Sequence, residues 1–234
     1  MQEVLNIIQK RQSARIPFDP ERPVAKEDLR QILEAGRWAP TAHNMQNFEI
    51  IIVDDKKVLE AIGSMKSTVS ETFIRENYQH LSFSEEELLK KKVGILGTMF
   101  PPAWRTPGYK PDKDTDSGRP IQTSPVMLIV VYDPDRRAPA SEGDFLGIVS
   151  LGCVMENMWL MANSLGISFH VVSAIGTDPV EKEVKRILNI PDRLKIPFAF
   201  RLGYPVTTPA KHLRVRRNVE DFTHHNRFGN KDFD

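Results

Sequence analysis

Residues 145–166, FLGIVSLGCVMENMWLMANSLG, form the longest apolar stretch of the chain, and the fold class turns on how they are read. A membrane-spanning helix needs about 20 predominantly apolar residues with few polar interruptions. Here Glu156, Asn157 and Asn163 interrupt the run, together with Gly147 and Gly152. The expected element is therefore a helix buried on nearly all sides in a soluble protein, with no membrane contact. Ser141-Glu142-Gly143-Asp144 is expected to cap its start, and Gly166 to stop it.

Outward from that helix, Ile167–Val172 reads as a strand. Val126–Tyr132, Phe48–Val53 and Pro197–Leu202 are three more apolar runs of strand length. Helical patterns lie between them. Residues 2–10 carry an apolar face of Val4, Leu5, Ile7 and Ile8, and residues 25–38 repeat Leu29, Ile32 and Leu33 at helical spacing. Another helix runs from Asp54-Asp55 to Gly63. A further one opens at Asp178-Pro179, with Pro at its first position and Val180, Val184, Ile187 and Leu188 inward. Helices and strands are mixed, few hairpins are consecutive and no segment repeats. That order predicts an α+β fold with helices around one sheet, in a single domain over residues 1–234.

Two segments stand apart. Residues 64–122 are a variable insert in which Ser84 and Glu87 make a capping box for a helix to about Gly97. The proline-rich loop after it, residues 98–122, is either a lid over a site or a mobile excursion. Residues 209–234 form an extended C-terminal arm with little apolar periodicity. Phe222, Phe228 and Phe233 are its apolar anchors, and such an arm either frays or wraps a partner subunit.

Composition narrows the function classes. The chain has 234 residues, 40% of them hydrophobic, with 32 Lys and Arg against 31 Asp and Glu, a net charge of +1. This balance gives no bulk attraction to nucleic acid, so any phosphate contact must come from a local cluster. The single cysteine, Cys153, sits in an apolar run and forms no internal disulfide. The start, MQEVLNIIQKRQSAR, lacks a signal-peptide core, so a cytoplasmic location is expected. The six histidines show no metal-ligand spacing, and no nucleophile elbow, Walker loop or Rossmann glycine pattern is present. An enzyme built from these residues takes its hard chemistry from a cofactor.

Three places are suited to binding one. Arg11, Gln12, Ser13 and Arg15 put two guanidinium groups and a hydroxyl in one short turn, which makes an anion clamp or a solvated basic helix end. Ala39–Gln46 lies between a helix and a strand, where Pro40, Thr41, Asn44 and Gln46 either read a polar planar ligand or serve turn chemistry. Lys211–Arg217, KHLRVRR, grips a phosphate, forms a nucleic-acid patch or is a solvated charge run.

Taken in order, these segments resemble the nitroreductase family of flavoproteins. The family's R-x-S-x-R/K turn is matched by Arg11, Ser13 and Arg15. Its APS-x-x-N-x-Q-P-W loop is matched by Ala39-Pro40-Thr41-Ala42-His43-Asn44-Met45-Gln46-Asn47-Phe48. Asn157–Gly166 matches the end of the long central helix, and Ala174-Ile175-Gly176 the glycine turn after the next strand. Ile190-Pro191, Leu202-Gly203-Tyr204-Pro205 and the pair Arg214 and Arg216 complete the pattern. The family's P-W is Asn47-Phe48 here, and a frequent acidic or polar residue before the turn glycine is Ile175.

The resemblance implies a central, mostly antiparallel sheet of four to five strands surrounded by helices. It implies a homodimer with FMN at the interface and a C-terminal arm around the partner subunit. Arg11, Gln12, Ser13 and Arg15 would hold the phosphate and ring edge, with Arg214 and Arg216 on the phosphate. Pro40, Thr41, Ala42 and Asn44 would come from the other subunit. The Ser173, Ala174, Ile175 and Gly176 turn would present backbone donors, and Arg119 would approach the flavin ring. The implied activity passes reducing equivalents from NADH or NADPH to a nitroaromatic, quinone or similar small-molecule acceptor, in ping-pong fashion. Reductive dehalogenation and flavin fragmentation occur on the same fold, and a nucleic-acid-binding protein using Lys211–Arg217 is the alternative of another class.

Overall fold

The computed structural model describes residues 2–65, 86, 87, 90, 119–208 and 216–231. The chain divides into two compact units, residues 1–67 with 116–209, and residues 68–115 with 210–234. The first unit runs α1 (Gln2–Lys10), α2 (Lys26–Arg37), β1 (Glu49–Val53), α3 (Lys56–Gly63), α4 (Arg119–Gln122), β2 (Val126–Tyr132), α5 (Phe145–Ser164), β3 (Ser168–Val172), α6 (Val180–Leu188) and β4 (Lys195–Gly203). Short 3-10 turns lie at Ala42–Asn44 and Ser173–Gly176.

The four strands form one sheet in the order β1-β2-β4-β3, with every neighbouring pair antiparallel. An antiparallel strand with one wet face alternates apolar and polar residues. β2 does not alternate, and each of its residues is buried. The reason is cover on both sides. Leu128 and Val130 face Ile32 of α2 and Leu151, Val154 and Met158 of α5. Met127, Ile129 and Val131 face Leu59 and Ile62 of α3 and Val184 of α6. Each such aliphatic side chain contributes about 1.5–3 kcal/mol through burial. Pro197, which has no N–H to donate, sits beside the register shift between Val130 and Tyr132.

Two of the polar residues that interrupt the apolar run of α5 have partners. Asn157 Nδ2 donates to the Ala35 carbonyl of α2 at 3.1 Å, and Glu156 pairs with Arg11. The helix is long and apolar enough to cross a membrane by length and composition. It is not buried on nearly all sides, as expected from its sequence. Ser150, Leu151, Val154, Met158 and Ala162 form one buried stripe, while Phe145, Ile148 and Val149 are exposed. The apolar face of α1 is likewise uncovered in a single chain, with Val4 63% and Leu5 51% exposed.

The end signals of two helices also differ from expectation. Asp144 occupies the cap position of α5 but makes no capping bond; its Oδ2 accepts the Tyr132 hydroxyl at 2.7 Å instead. Burial pushes the Tyr132 phenol further up its range, followed by its bond to Asp144. Pro179 is the cap residue of α6 rather than its first helical residue. α3 starts as read, with the Asp55 carboxylate accepting Val58 N–H at 3.0 Å. Gly166 stops α5 in the left-handed region, at φ +72°.

Of the helix expected from Ser84, residues 86, 87 and 90 are described and are helical. The 98–118 loop lies outside the described residues. In the second unit the arm is not wholly irregular. It holds a one-turn helix, α7 (Val219–Phe222). Asn218 N donates to Asp221 Oδ2 at 2.8 Å, and Lys231 Nζ donates to the carbonyls of Glu220, Asp221 and Thr223. Phe222 and Phe228 are exposed in the single chain, and Phe233 lies outside the described residues.

Candidate functional site

The Arg11–Arg15 turn lies against the free edge of β3. Ser13 bridges to Phe169 in parallel register, and Ala14 N donates to the Phe169 carbonyl at 3.0 Å. Trp159 of α5 stacks on Phe169 at 5.2 Å and donates its ring N–H to the Gln12 carbonyl at 3.3 Å. The Arg11 guanidinium lies 4.4 Å from the Trp159 ring centre, and its Nε is 3.0 Å from Glu156 Oε1. The turn is thus fixed by backbone, ring and charge contacts together. Burial pushes the Arg15 guanidinium below its ordinary range. A cation held partly out of water is stabilised by an anion brought beside it.

Beneath the turn is a residue that sequence reasoning missed. Arg201 of β4 is fully buried. Its Nη2 donates to the carbonyls of Ala14 and Ile16 at 3.0 and 2.6 Å, its Nε to His170 Nδ1 at 2.7 Å, and its Nη1 to Ser124 Oγ at 3.4 Å. The Phe18 ring covers the guanidinium at 4.2 Å. His170 and Arg201 stand opposite each other in the β3–β4 register. Burial, then the charges of Arg201 and Arg15, push the His170 imidazole down to about 3. Burial lowers the Arg201 guanidinium to about 9, which leaves it charged at neutral pH. One signal was available, a lone charge within the otherwise apolar run FAFRLG.

The Ser173–Gly176 turn continues from β3. The Ile175 side chain is buried against the α3–α6 face of the sheet, so its backbone alone remains for a ligand. The replacement of a polar residue by Ile at this position therefore leaves the turn's backbone donors in place. Gly176 is required for packing: a Cβ there would lie 2.2 Å from the Ile196 carbonyl oxygen.

The Pro40–Asn44 segment sits elsewhere on the same unit. Ala42 N donates to Ser150 Oγ at 3.0 Å, which ties it to the first half of α5. Trp159, under the arginine turn, lies nine residues further along that helix, about 14 Å at 1.5 Å per residue. Pro40 and Asn44 are exposed. His43, Asn44 and Gln46 have φ of 51°, 51° and 46°. Asn and His are among the side chains found more often in this left-handed conformation, whereas Gln adopts it at a cost. The Gln46 amide donates to Asn44 Oδ1 at 3.2 Å, and Gln46 N–H to Thr41 Oγ1 at 3.2 Å. Asn47 accounts for its own departure from Pro. Its side chain donates to the carbonyls of Asp133 and Arg136 at 2.8 and 2.9 Å and accepts Asp133 N–H at 3.2 Å.

Arg119 opens α4. Arg216 is exposed on the second unit, and Arg214 lies outside the described residues, as does most of Lys211–Arg217. Among the described residues no group of three or more His, Cys, Asp or Glu side chains is placed to hold a metal.

The sequence pattern described as Nitroreductase family matches residues 8–204, a span that contains both loops, the sheet and α5. The chain belongs to the nitroreductase family. It is 22% identical over 227 residues to an NADPH-dependent oxidoreductase of Staphylococcus aureus (strain USA300), covering 97% of this chain and 74% of that protein. The fold of the chain is similar to that of an FMN-dependent nitroreductase from Clostridium difficile R20291, with a TM-score of 0.62, 18% identity and coverage of 96% and 99% of the two chains. It is also similar to a nitroreductase with bound FMN from Bacteroides fragilis NCTC 9343, with a TM-score of 0.58, 22% identity and coverage of 93% and 96%.

Proposed function

We propose that this nitroreductase-family chain is a cytoplasmic, FMN-dependent oxidoreductase that works as a homodimer. It passes reducing equivalents from NADH or NADPH to a planar electrophilic acceptor, such as a nitroaromatic or a quinone. The observation that carries this reading is the Arg11–Arg15 turn: two guanidinium groups and a hydroxyl on a backbone pinned to Phe169, with Arg15 partly desolvated. An FMN phosphate carries about two negative charges near neutral pH. The donor set fits it in charge and in hydrogen-bonding type. The names of the relatives, NADPH-dependent oxidoreductase and FMN-dependent nitroreductase, support the same donor and cofactor.

In this reading Arg11, Ser13 and Arg15, with Arg214 and Arg216, hold the phosphate, and Gln12 faces the ring edge. Backbone N–H groups of the Ser173–Gly176 turn hold the polar edge of the ring near its reactive nitrogen. Arg119 offsets negative charge at the opposite edge. Pro40, Thr41, Ala42 and Asn44 reach the site from the second copy. The uncovered apolar residues Val4, Leu5, Ile8, Phe145, Ile148 and Val149 support that assembly, since a second copy would take them out of water. Bound FMN supplies hydride chemistry that no side chain here offers, accepting from the nicotinamide and giving to the acceptor in turn.

The visible absorption spectrum of the purified protein tests this, with mass identification of whatever denaturation releases. Flavin bands and released FMN are expected. A colourless protein that takes up no FMN on reconstitution would sink the proposal. Stopped-flow oxidation of the reduced protein by quinone, nitro and halogenated acceptors then separates reduction of nitro groups and quinones from dehalogenation.

A further inference from the structure

Arg201 has no counterpart among the residues expected to touch a cofactor, yet it is the most completely enclosed charge on the sheet side of the arginine turn. Its donors are divided between two tasks. Nη2 serves the turn, through the carbonyls of Ala14 and Ile16, which flank Arg15 on either side. Nε and Nη1 serve the sheet and the residues before it, through His170 of β3 and Ser124. A guanidinium is planar and rigid, so fixing Nε and Nη1 fixes where Nη2 points. The Nε–H is a donor, which requires His170 Nδ1 to be the unprotonated acceptor of a neutral imidazole. The low imidazole pKa agrees with that state. Phe18 closes the remaining side of the guanidinium.

We propose that Arg201 is a positioning residue for anion binding. It sets the Ala14–Ile16 backbone so that Arg11, Ser13 and Arg15 present their donors to one phosphate. This rests on the FMN reading above, and it adds a residue that never touches the cofactor. The length of the device matters as well as its charge. Lysine has one nitrogen where Arg201 uses three, so it cannot hold both carbonyls while bonded to His170 and Ser124.

The test compares FMN with riboflavin, which has the same ring system and no phosphate. Dissociation constants for both are measured by flavin fluorescence quenching on wild type, Arg201→Lys, Arg201→Met and His170→Phe, with the melting temperature of each flavin-free protein. His170→Phe keeps a ring in place but removes the acceptor that orients Nε, which provides a milder variant should Arg201→Met fail to fold. Loss of well-aligned charge-assisted bonds to a phosphate is expected to weaken FMN binding about tenfold or more in the Arg201 variants, and several-fold in His170→Phe. Riboflavin binding is expected to change by less than about threefold, since hydrogen bonds to the ring are not involved. A proportional loss for both flavins, or no loss for either in a folded variant, overturns the positioning role. A wild type that binds neither flavin, or binds both equally, overturns the FMN reading itself, so the two failures are distinguishable.

Discussion

The 11–16 turn and the 41–46 loop are both short connections with polar sequences, and the fold treats them in opposite ways. The first is held from beneath by a buried arginine, from the side by Trp159 and along its backbone by β3. The second has no buried residue, keeps three non-glycine residues at positive φ, and is tied down at its ends by Ser150 and Asn47. The two halves of the proposed site are organised differently. The cationic half is set within one chain. The polar half keeps positive-φ residues on the surface, and in the homodimer proposal this loop serves the second copy's site.

Four substitutions test that contrast. The largest effect is expected at Gly176, beside the anchored half. Gly176→Ala places a Cβ 2.2 Å from the Ile196 carbonyl oxygen. The backbone must move, and a loss of about 3 kcal/mol or more is expected in urea unfolding. A loss below about 1 kcal/mol would show that the turn yields to the added Cβ.

The pH dependence follows in size. His170 in the folded protein titrates at about 3, lowered first by burial and then by the charges of Arg201 and Arg15. An unfolded histidine titrates near about 6.5. Between these values the unfolded chain binds the extra proton, so stability is full above about pH 6.5 and falls as pH drops toward 3. The slope from this group reaches about 1.4 kcal/mol per pH unit. His170→Gln keeps an acceptor for Arg201 and removes the titration. Denaturation between pH 7 and 4 should be flatter by that amount in the variant, and equal slopes would refute the assignment.

Asn47→Ala cuts the ties between the exposed loop and the turn after β2. A loss of about 1–3 kcal/mol is expected from the stranded Asp133 and Arg136 groups. Unchanged riboflavin and FMN binding by a monomeric fraction, with weaker binding by the whole protein, would place the damage in the half contributed across subunits.

The smallest effect has the opposite sign. Gln46→Gly relieves a positive φ of 46° and should stabilise the protein by about 0.5–1 kcal/mol, read as a rise in melting temperature. If the conformation serves a ligand, FMN retention falls as stability rises. A stabilised variant with unchanged retention would mark the loop's conformation as incidental.

Much of the fold was legible without coordinates. β2 was visible because it is buried on both faces, and continuous cover writes a continuous apolar run. The arginine turn and the 40–46 loop stood out because their residues resemble the family's motifs in order, and both lie within the span that the family pattern matches. α5 was misjudged for a physical reason: an apolar face reads the same whether it meets a sheet, a second copy or solvent. Asp144 was misjudged because a capping residue and a hydrogen-bond partner for a distant tyrosine are the same residue type.

The amino-acid order alone thus determined the elements, their caps in part, and the residues offering positive charge, since periodicity and composition act over a few neighbouring residues. Only the tertiary structure decided that Arg201 lies beneath Ala14 and Ile16, that Asn47 bonds Asp133 and Arg136, and that Ile175 turns inward. Those partners are 86 to 187 positions apart for the hydrogen bonds. No local pattern encodes such pairs. The sheet brings them together, and the cost of leaving a buried donor or acceptor without a partner selects which residues can stand there.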